Sequence, residues 1–378
     1  MGSRLRPTWA EVDLDAITHN AEVLCRMVAP AELCAVVKAW AYGHGPVEAA
    51  EAALRGGASW LGVALVEEGR QLRAAGVTAP ILVLSEPPVA AFADVVAHDL
   101  VPTIYTFDGI EAAAKAVVQS GRAAPLPAHV KVDTGMHRVG ADPRTAVAVA
   151  RAVAAQPELE LQGLYTHFAV ADEPARDDFT QGQLAAFTAV VAELATAGIR
   201  PPLTHAANSA GAIAHPEARL DLVRCGIALY GHAPSTPLAE ASRSLRPALS
   251  LKARVSYVKH VEAGESISYG LRYTFKERTV VATVPIGYAD GVPRRLSECG
   301  GEVLVGGMRR PIAGRVTMDQ LTVDCGPDAD VAVGDEVVLI GRQGDTEVTA
   351  WEWADRLGTI PYEVLCGVSQ RVPRTYPR

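Results

Sequence analysis

The chain has 378 residues, of which 49% are hydrophobic and 21% charged, with a formal net charge of -8. That composition excludes a mainly disordered chain and supplies enough apolar material for more than one core, so two domains sharing a cleft are expected. The 35 basic residues are dispersed without a Lys/Arg block, which argues against nucleic acid, and no stretch approaches the roughly 20 apolar residues of a membrane span.

The opening MGSRLRPTWAEVDLD has no apolar leader core, so a cytoplasmic protein without membrane contact is expected. The cysteines Cys25, Cys34, Cys225, Cys299, Cys325 and Cys366 form no CxxC pair and no cluster at metal-ligand spacing. They read as free thiols, and no metal is expected.

From residue 14 to about 231, short apolar runs alternate with alanine-rich segments of helical period. Eight runs begin at Leu33, Trp60, Ile81, Leu100, His129, Leu161, Pro202 and Leu222, and helices are predicted over 15–28, 66–75, 108–118, 143–155 and 177–197. The pattern predicts an α/β fold, a closed (β/α)8 barrel over residues 11–236. An open doubly wound sheet would need a glycine-rich turn after its first strand, and none follows LCAVVKA. Prolines and serines break the period over 232–247, where a linker is expected. Residues 240–378 then read as a mostly antiparallel β domain with a late helix over 350–356, joined by residues 1–10.

Reactive groups of such a barrel sit at the C-terminal ends of its strands. Lys38 closes the first run, Lys131 lies in the fifth, His167 closes the sixth, Asn208 and Ser209 follow the seventh, and Arg224 lies in the eighth. A lysine in an apolar strand is desolvated, which lowers its pKa and readies it for imine formation, although strand-end lysines also snorkel to solvent. Read alone, a strand arginine such as Arg224 is more commonly half of a structural ion pair.

In order and over nearly the whole chain, AVVKAWAYGHG, KVDTGMHRVG, THF, NSAG, RCGIALYG, SYG, PIGYADG, MDQ and PYE resemble the alanine racemases. The resemblance implies a barrel plus β domain, a pyridoxal 5'-phosphate cofactor, a homodimer with shared active sites and a small amino acid as substrate. It implies that Lys38 carries the cofactor and acts as base on one face, that Tyr269 is the base on the other, and that His167 hydrogen-bonds the phenol. Arg224 resembles the arginine facing the pyridine nitrogen. Tyr42, Asn208, Ser209, Gly226, Ile227 and Tyr362 resemble the phosphate-binding set, with Ser209 expected also to cap the short SAGAIA helix. Arg138 and the Met318 backbone resemble the groups that take the substrate carboxylate. Lys131 corresponds to a lysine that carries a carbamate in many relatives, the alternative being an ordinary salt bridge. Asp172, His205, Tyr288, Arg294 and Arg315 resemble the substrate entrance.

Two departures stand out: Trp40 replaces the family's usual Asn or Asp, and Thr317 precedes Met318 where some relatives have Cys. Two other enzyme readings, a racemase of broader specificity and a decarboxylase, share the barrel. Arg224 argues against the decarboxylase. A non-catalytic cofactor carrier made of the barrel alone would lack Tyr269 and Met318.

Overall fold

The computed structural model describes residues 5–377. These divide into two compact units, one of residues 14–41 and 45–247, the other of residues 5–13, 42–44 and 248–377.

The chain enters through β1 (Thr8–Val12), a strand of the second unit, and then builds the first from eight parallel strands. They are β2 (Glu32–Val36), β3 (Trp60–Val63), β4 (Ile81–Val83), β5 (Val101–Ile104), β6 (Leu126–Lys131), β7 (Leu159–Tyr165), β8 (Leu203–His205) and β9 (Leu222–Cys225). Their order runs from β8 back through β2 to β9. Between β8 and β9 the regular ladder lapses, and Asp221 N-H to Thr204 O and Arg224 N-H to Ala207 O, both 3.0 Å, bring the ends together. The expected barrel is present and nearly closed.

Helices cover its outside because their apolar residues recur on one face. Leu14–Val28 buries Ile17, Ala21, Leu24 and Val28. Phe107–Ser120 begins where the Thr106 side chain accepts the Gly109 N-H and stops at Gly121, whose φ of 69° is left-handed. Segment 232–247, expected as a linker, carries the 3-10 turns Thr236–Leu238 and Glu240–Ser242 and clusters with the barrel. Gly231 is required just before it, since a Cβ there would stand 1.8 Å from the Arg246 carbonyl oxygen.

In the second unit β1 lies between Leu249–Arg254, antiparallel to it, and Arg374–Thr375, parallel to it. Glu336–Gln343, Glu302–Val305 and Met308–Pro311 extend that sheet. A separate antiparallel sheet joins Tyr257–Val261, Thr279–Val284 and Leu321–Gly326. Helix Ala350–Leu357 is capped by the Thr349 side chain, which accepts the Glu352 N-H. Among the described residues no helix is long and apolar enough to cross a membrane.

One local feature departs from ordinary helix. After β2 the chain makes a left-handed turn without glycine: φ is 52° at Ala39, 58° at Trp40, 52° at Ala41 and 53° at Tyr42. Each such residue costs about 1–2 kcal/mol. Hydrogen bonds hold the turn, Ala39 N-H to Glu68 Oε1 at 2.6 Å and Gly45 N-H to the Trp40 carbonyl at 3.0 Å. Glu68 also accepts the N-H groups of Ala64 and Leu65, at 2.8 and 3.1 Å. Asn tolerates the left-handed region better than Trp, while Trp40 is half-buried and loses ring burial on replacement. Both effects are about 1 kcal/mol, so Trp40→Asn is expected to leave the unfolding midpoint within about 3 °C. A drop beyond about 5 °C by calorimetry would show that the indole anchors the turn.

Candidate active site

The barrel gathers cations. Lys38 follows β2, Lys131 ends β6, and Arg224 lies on β9. The Asp133 carboxylate accepts the N-H groups of Gly135 and His137, each at 3.0 Å, folding the loop that carries Arg138. Lys131 is buried, and its ammonium is pushed down to about 7 by that burial and by Arg224, Arg138 and Lys38, with Asp133 opposing. Burial, then Arg224, Lys131, Arg138 and Lys38, holds His167 well below the usual imidazole range. The charges of Arg224, Arg138 and Lys38 therefore bear on Lys131 and His167, and His167 stays neutral at physiological pH.

Arg224 is 3% exposed. Its Nη2 donates to the carbonyls of Thr166 and Ala206, at 2.8 and 2.9 Å, and lies 3.3 Å from His167 Nδ1. Its Nη1 donates to His205 Nδ1 at 2.7 Å, and the guanidinium sits 5.0 Å from the Tyr165 ring centroid. No carboxylate among the described residues pairs with it, so Arg224 is not half of a structural ion pair. An arginine only donates, so the His167 nitrogen facing it is the unprotonated one and Nε2 carries the hydrogen.

Two expectations need correction. His205, placed at the substrate entrance on resemblance, is 0% exposed and bonded beneath Arg224, because β8 turns its side chain into the barrel. The cap of helix Ser209–Ala214 is Asn208, not Ser209: Asn208 is extended and its Oδ1 accepts the Gly211 N-H at 3.0 Å. Ser209 is the first helical residue, and its Oγ accepts the Gly226 N-H at 2.9 Å. Asn208, Ser209 and Gly226 are thus brought together, and Ile227 opens the following 3-10 turn, Ile227–Tyr230. The Asp172 carbonyl accepts the Ser235 hydroxyl at 2.8 Å.

The remaining expected residues lie in the second unit. Tyr269 is 70% exposed on a turn between Ser266–Ile267 and Tyr273–Thr274. Ser268, at φ 66°, anchors that turn by donating from its hydroxyl to the Arg315 carbonyl at 2.8 Å. The Arg315 side chain pairs with Glu298 at 3.0 Å. Tyr288 N-H bonds the Thr317 carbonyl at 2.9 Å and Ala289 N-H the Met318 carbonyl at 3.1 Å. Gly287 permits this approach, since a Cβ there would meet the Thr317 carbonyl oxygen at 2.2 Å. Tyr288 and Arg294 line one cavity of about 400 Å³ with Val292, Leu357 and Glu363. The rings of Tyr42 and Tyr362 stand 6.0 Å apart.

Sequence reasoning missed Glu68 and His129. Glu68 gives no motif. His129 opens a strand run already singled out, and alternation with the inward Lys131 places it on the barrel interior.

Residues 12–234 match the family model for the alanine racemase N-terminal domain, and residues 248–376 match that for the alanine racemase C-terminal domain. An alanine racemase of Symbiobacterium thermophilum is 49% identical over 372 residues, covering 98% of this chain and 97% of that protein. The crystal structure of alanine racemase from Bacillus anthracis with bound L-Ala-P superposes with a TM-score of 0.92 at 39% identity, covering 100% of this chain and 96% of that one. A histidine racemase from Leuconostoc mesenteroides superposes at 0.91 with 32% identity, covering 100% and 99%.

Proposed function

Because the chain belongs to the alanine racemase family, we propose that it interconverts L-alanine and D-alanine with pyridoxal 5'-phosphate, using Lys38 and Tyr269 as bases on opposite faces of the reacting carbon. The observation that carries the reading is that Arg224, Arg138 and Lys38 bear on Lys131 and His167 in the barrel, with Arg224 buried and paired with no carboxylate among the described residues. That charge suits a phosphate and a substrate carboxylate. When bound, the cofactor supplies an electron sink that acidifies the substrate Cα-H.

The chain's own residues do the rest. The Lys38 amine holds the cofactor and moves a proton on one face, while the Tyr269 oxygen moves it on the other. A phenol is a weak base near pH 7, so the neutral His167, with its hydrogen on Nε2, would donate to Tyr269 and favour phenolate. Arg224 would offer a permanent cation to the pyridine nitrogen, which would disfavour its protonation, temper the sink and favour proton exchange over side reactions. Asn208, Ser209, Gly226 and Ile227, with Tyr42 and Tyr362, would hold the phosphate. Arg138 and the Met318 N-H would receive the substrate carboxylate. Asp172, Tyr288, Arg294 and Arg315 would shape the entrance.

Lys131, with its pKa lowered to about 7, is largely a neutral amine above that pH. Such an amine attacks CO2: an N-C bond forms as one C=O π bond opens onto oxygen, and one proton passes from nitrogen to water, giving a carbamate anion able to pair with Arg138. A homodimer completes the reading, with Tyr269 (70% exposed) and Met318 (52% exposed) supplied to the partner's Lys38. The free cysteines agree with a cytoplasmic setting.

The test is turnover of small L-amino acids and of histidine by protein loaded with pyridoxal phosphate, followed by polarimetry, in bicarbonate-containing and CO2-free buffers at pH 8. Alanine is expected to exceed every other substrate by at least about tenfold in kcat/KM, with activity lower without CO2 and restored by bicarbonate. Trp40→Asn is expected to keep or raise that turnover. Histidine is included because a histidine racemase shares the fold. Preference for histidine would overturn the substrate, absence of racemisation the reaction, and indifference to CO2 the carbamate.

A further inference from the structure

We propose that His129 is a positioning residue that holds Arg224 through His205 and leaves the guanidinium charge unneutralised. The proposal rests on the reading of Arg224 as the cation at the cofactor nitrogen.

His129 is 0% exposed on β6, two residues before Lys131. Its Nδ1 stands 2.9 Å from His205 Nε2, and His205 Nδ1 stands 2.7 Å from Arg224 Nη1. Hydrogen bonding gives this line one direction. A guanidinium has donors only, so His205 Nδ1 must be bare. Neutral His205 then carries its hydrogen on Nε2, His129 Nδ1 must accept it, and the hydrogen of His129 lies on Nε2. Beyond it the Gln162 amide neighbours the ring without closing a hydrogen bond of ordinary geometry.

Burial is the first reason both rings stay neutral. It pushes His129 down to about 3 against the effect of Gln162, with Arg224 adding to the fall, and it holds His205 well below the imidazole range, helped by Arg224 and His129. Neutral acceptors can orient a buried arginine where a carboxylate would cancel its charge. The arrangement leaves His205 little freedom, because the Tyr165 ring stacks on it at 4.5 Å with an interplanar angle of 7°. The neighbouring strand makes room for His129. Gly163 is its register partner on β7, and a Cβ there would stand 2.6 Å from the imidazole. Trp60 packs on another side, with ring centroids 5.3 Å apart.

The experiment compares wild type, His129→Leu and His129→Asn. Asn can place Oδ1 where imidazole Nδ1 accepts, whereas Leu removes the acceptor and strands the His205 Nε2-H. Two readouts do not depend on turnover: 15N-histidine NMR of the cofactor-free protein, and the dissociation constant for pyridoxal phosphate from fluorescence titration. Wild type is expected to show His205 as one neutral tautomer, protonated on Nε2. In His129→Leu that signature should be lost and the dissociation constant should rise about tenfold. His129→Asn should recover most of both. The proposal is overturned if the Leu variant keeps the His205 signature with a dissociation constant within about twofold of wild type, or if Asn fares no better than Leu. Should the Leu variant not fold, His129→Asn against wild type decides: a His205 in another tautomer in wild type, or an Asn variant that no longer holds it on Nε2, sinks the idea. If wild type bound no pyridoxal phosphate the racemase reading would fall, while the NMR of the cofactor-free chain would still test the hydrogen-bond line.

Discussion

Lys38→Ala is expected to lower kcat by at least about 10⁴ and to give purified protein that stays colourless with added pyridoxal phosphate. The loss is large because one nitrogen has two tasks, holding the cofactor and moving the proton on one face. Lys38 stands directly before the left-handed turn that is tied at Ala39 to Glu68, a backbone position that no other lysine occupies. Lys38→Arg should be equally colourless, because a guanidinium keeps its charge and offers no neutral amine. The rival nucleophile is Lys131, whose lowered pKa of about 7 makes a neutral amine available above that pH. Absorption spectra of Lys38→Ala and Lys131→Ala settle the assignment. If the visible band of lysine-bound cofactor survives in the first variant and vanishes in the second, Lys131 is the attachment point and the proton-transfer scheme built on Lys38 fails.

What the sequence revealed depended on how far each signal reaches along the chain. The barrel strands were legible because a parallel strand is buried on both faces and reads as an unbroken apolar run such as LCAVV or WLGVA. Helix Pro46–Arg55 was not anticipated: Gly43, Gly45 and Pro46 look like loop, although the proline stands at the first turn, where its missing N-H costs nothing. The turn at Ala39 to Tyr42 was illegible for the opposite reason, since four left-handed residues contain no glycine to signal them. Tyr269 rides a ribbon whose strands are two residues long, too short for any periodicity. His205 shows the limit for the site itself. Alternation along a strand tells which face a side chain takes, but its depth in the barrel comes from the register of β8 with β7, which no single strand encodes.

Tyr269→Phe is expected to reduce kcat/KM by about 10²–10⁴, the usual worth of a positioned base, without disturbing the fold, because a 70% exposed side chain losing one oxygen changes stability by less than about 0.5 kcal/mol. L-alanine and D-alanine have equal free energies in solution, so kcat/KM must fall by the same factor in both directions. The face on which the phenol acts appears instead in hydrogen exchange. In D2O the variant should still wash the Cα hydrogen out of D-alanine through Lys38, returning deuterium to the same face, while L-alanine keeps its hydrogen. Equal exchange from both enantiomers would show that the faces are assigned wrongly. Mixing this variant with Lys38→Ala then asks which chain supplies the phenol. If Tyr269 serves the partner's lysine, each mixed dimer contains one site with both native residues, and a random one-to-one mixture recovers about a quarter of wild-type activity. If each chain uses its own Tyr269, every site in the mixture lacks one base and no activity returns, which would end the shared-site proposal while leaving the two-base chemistry intact.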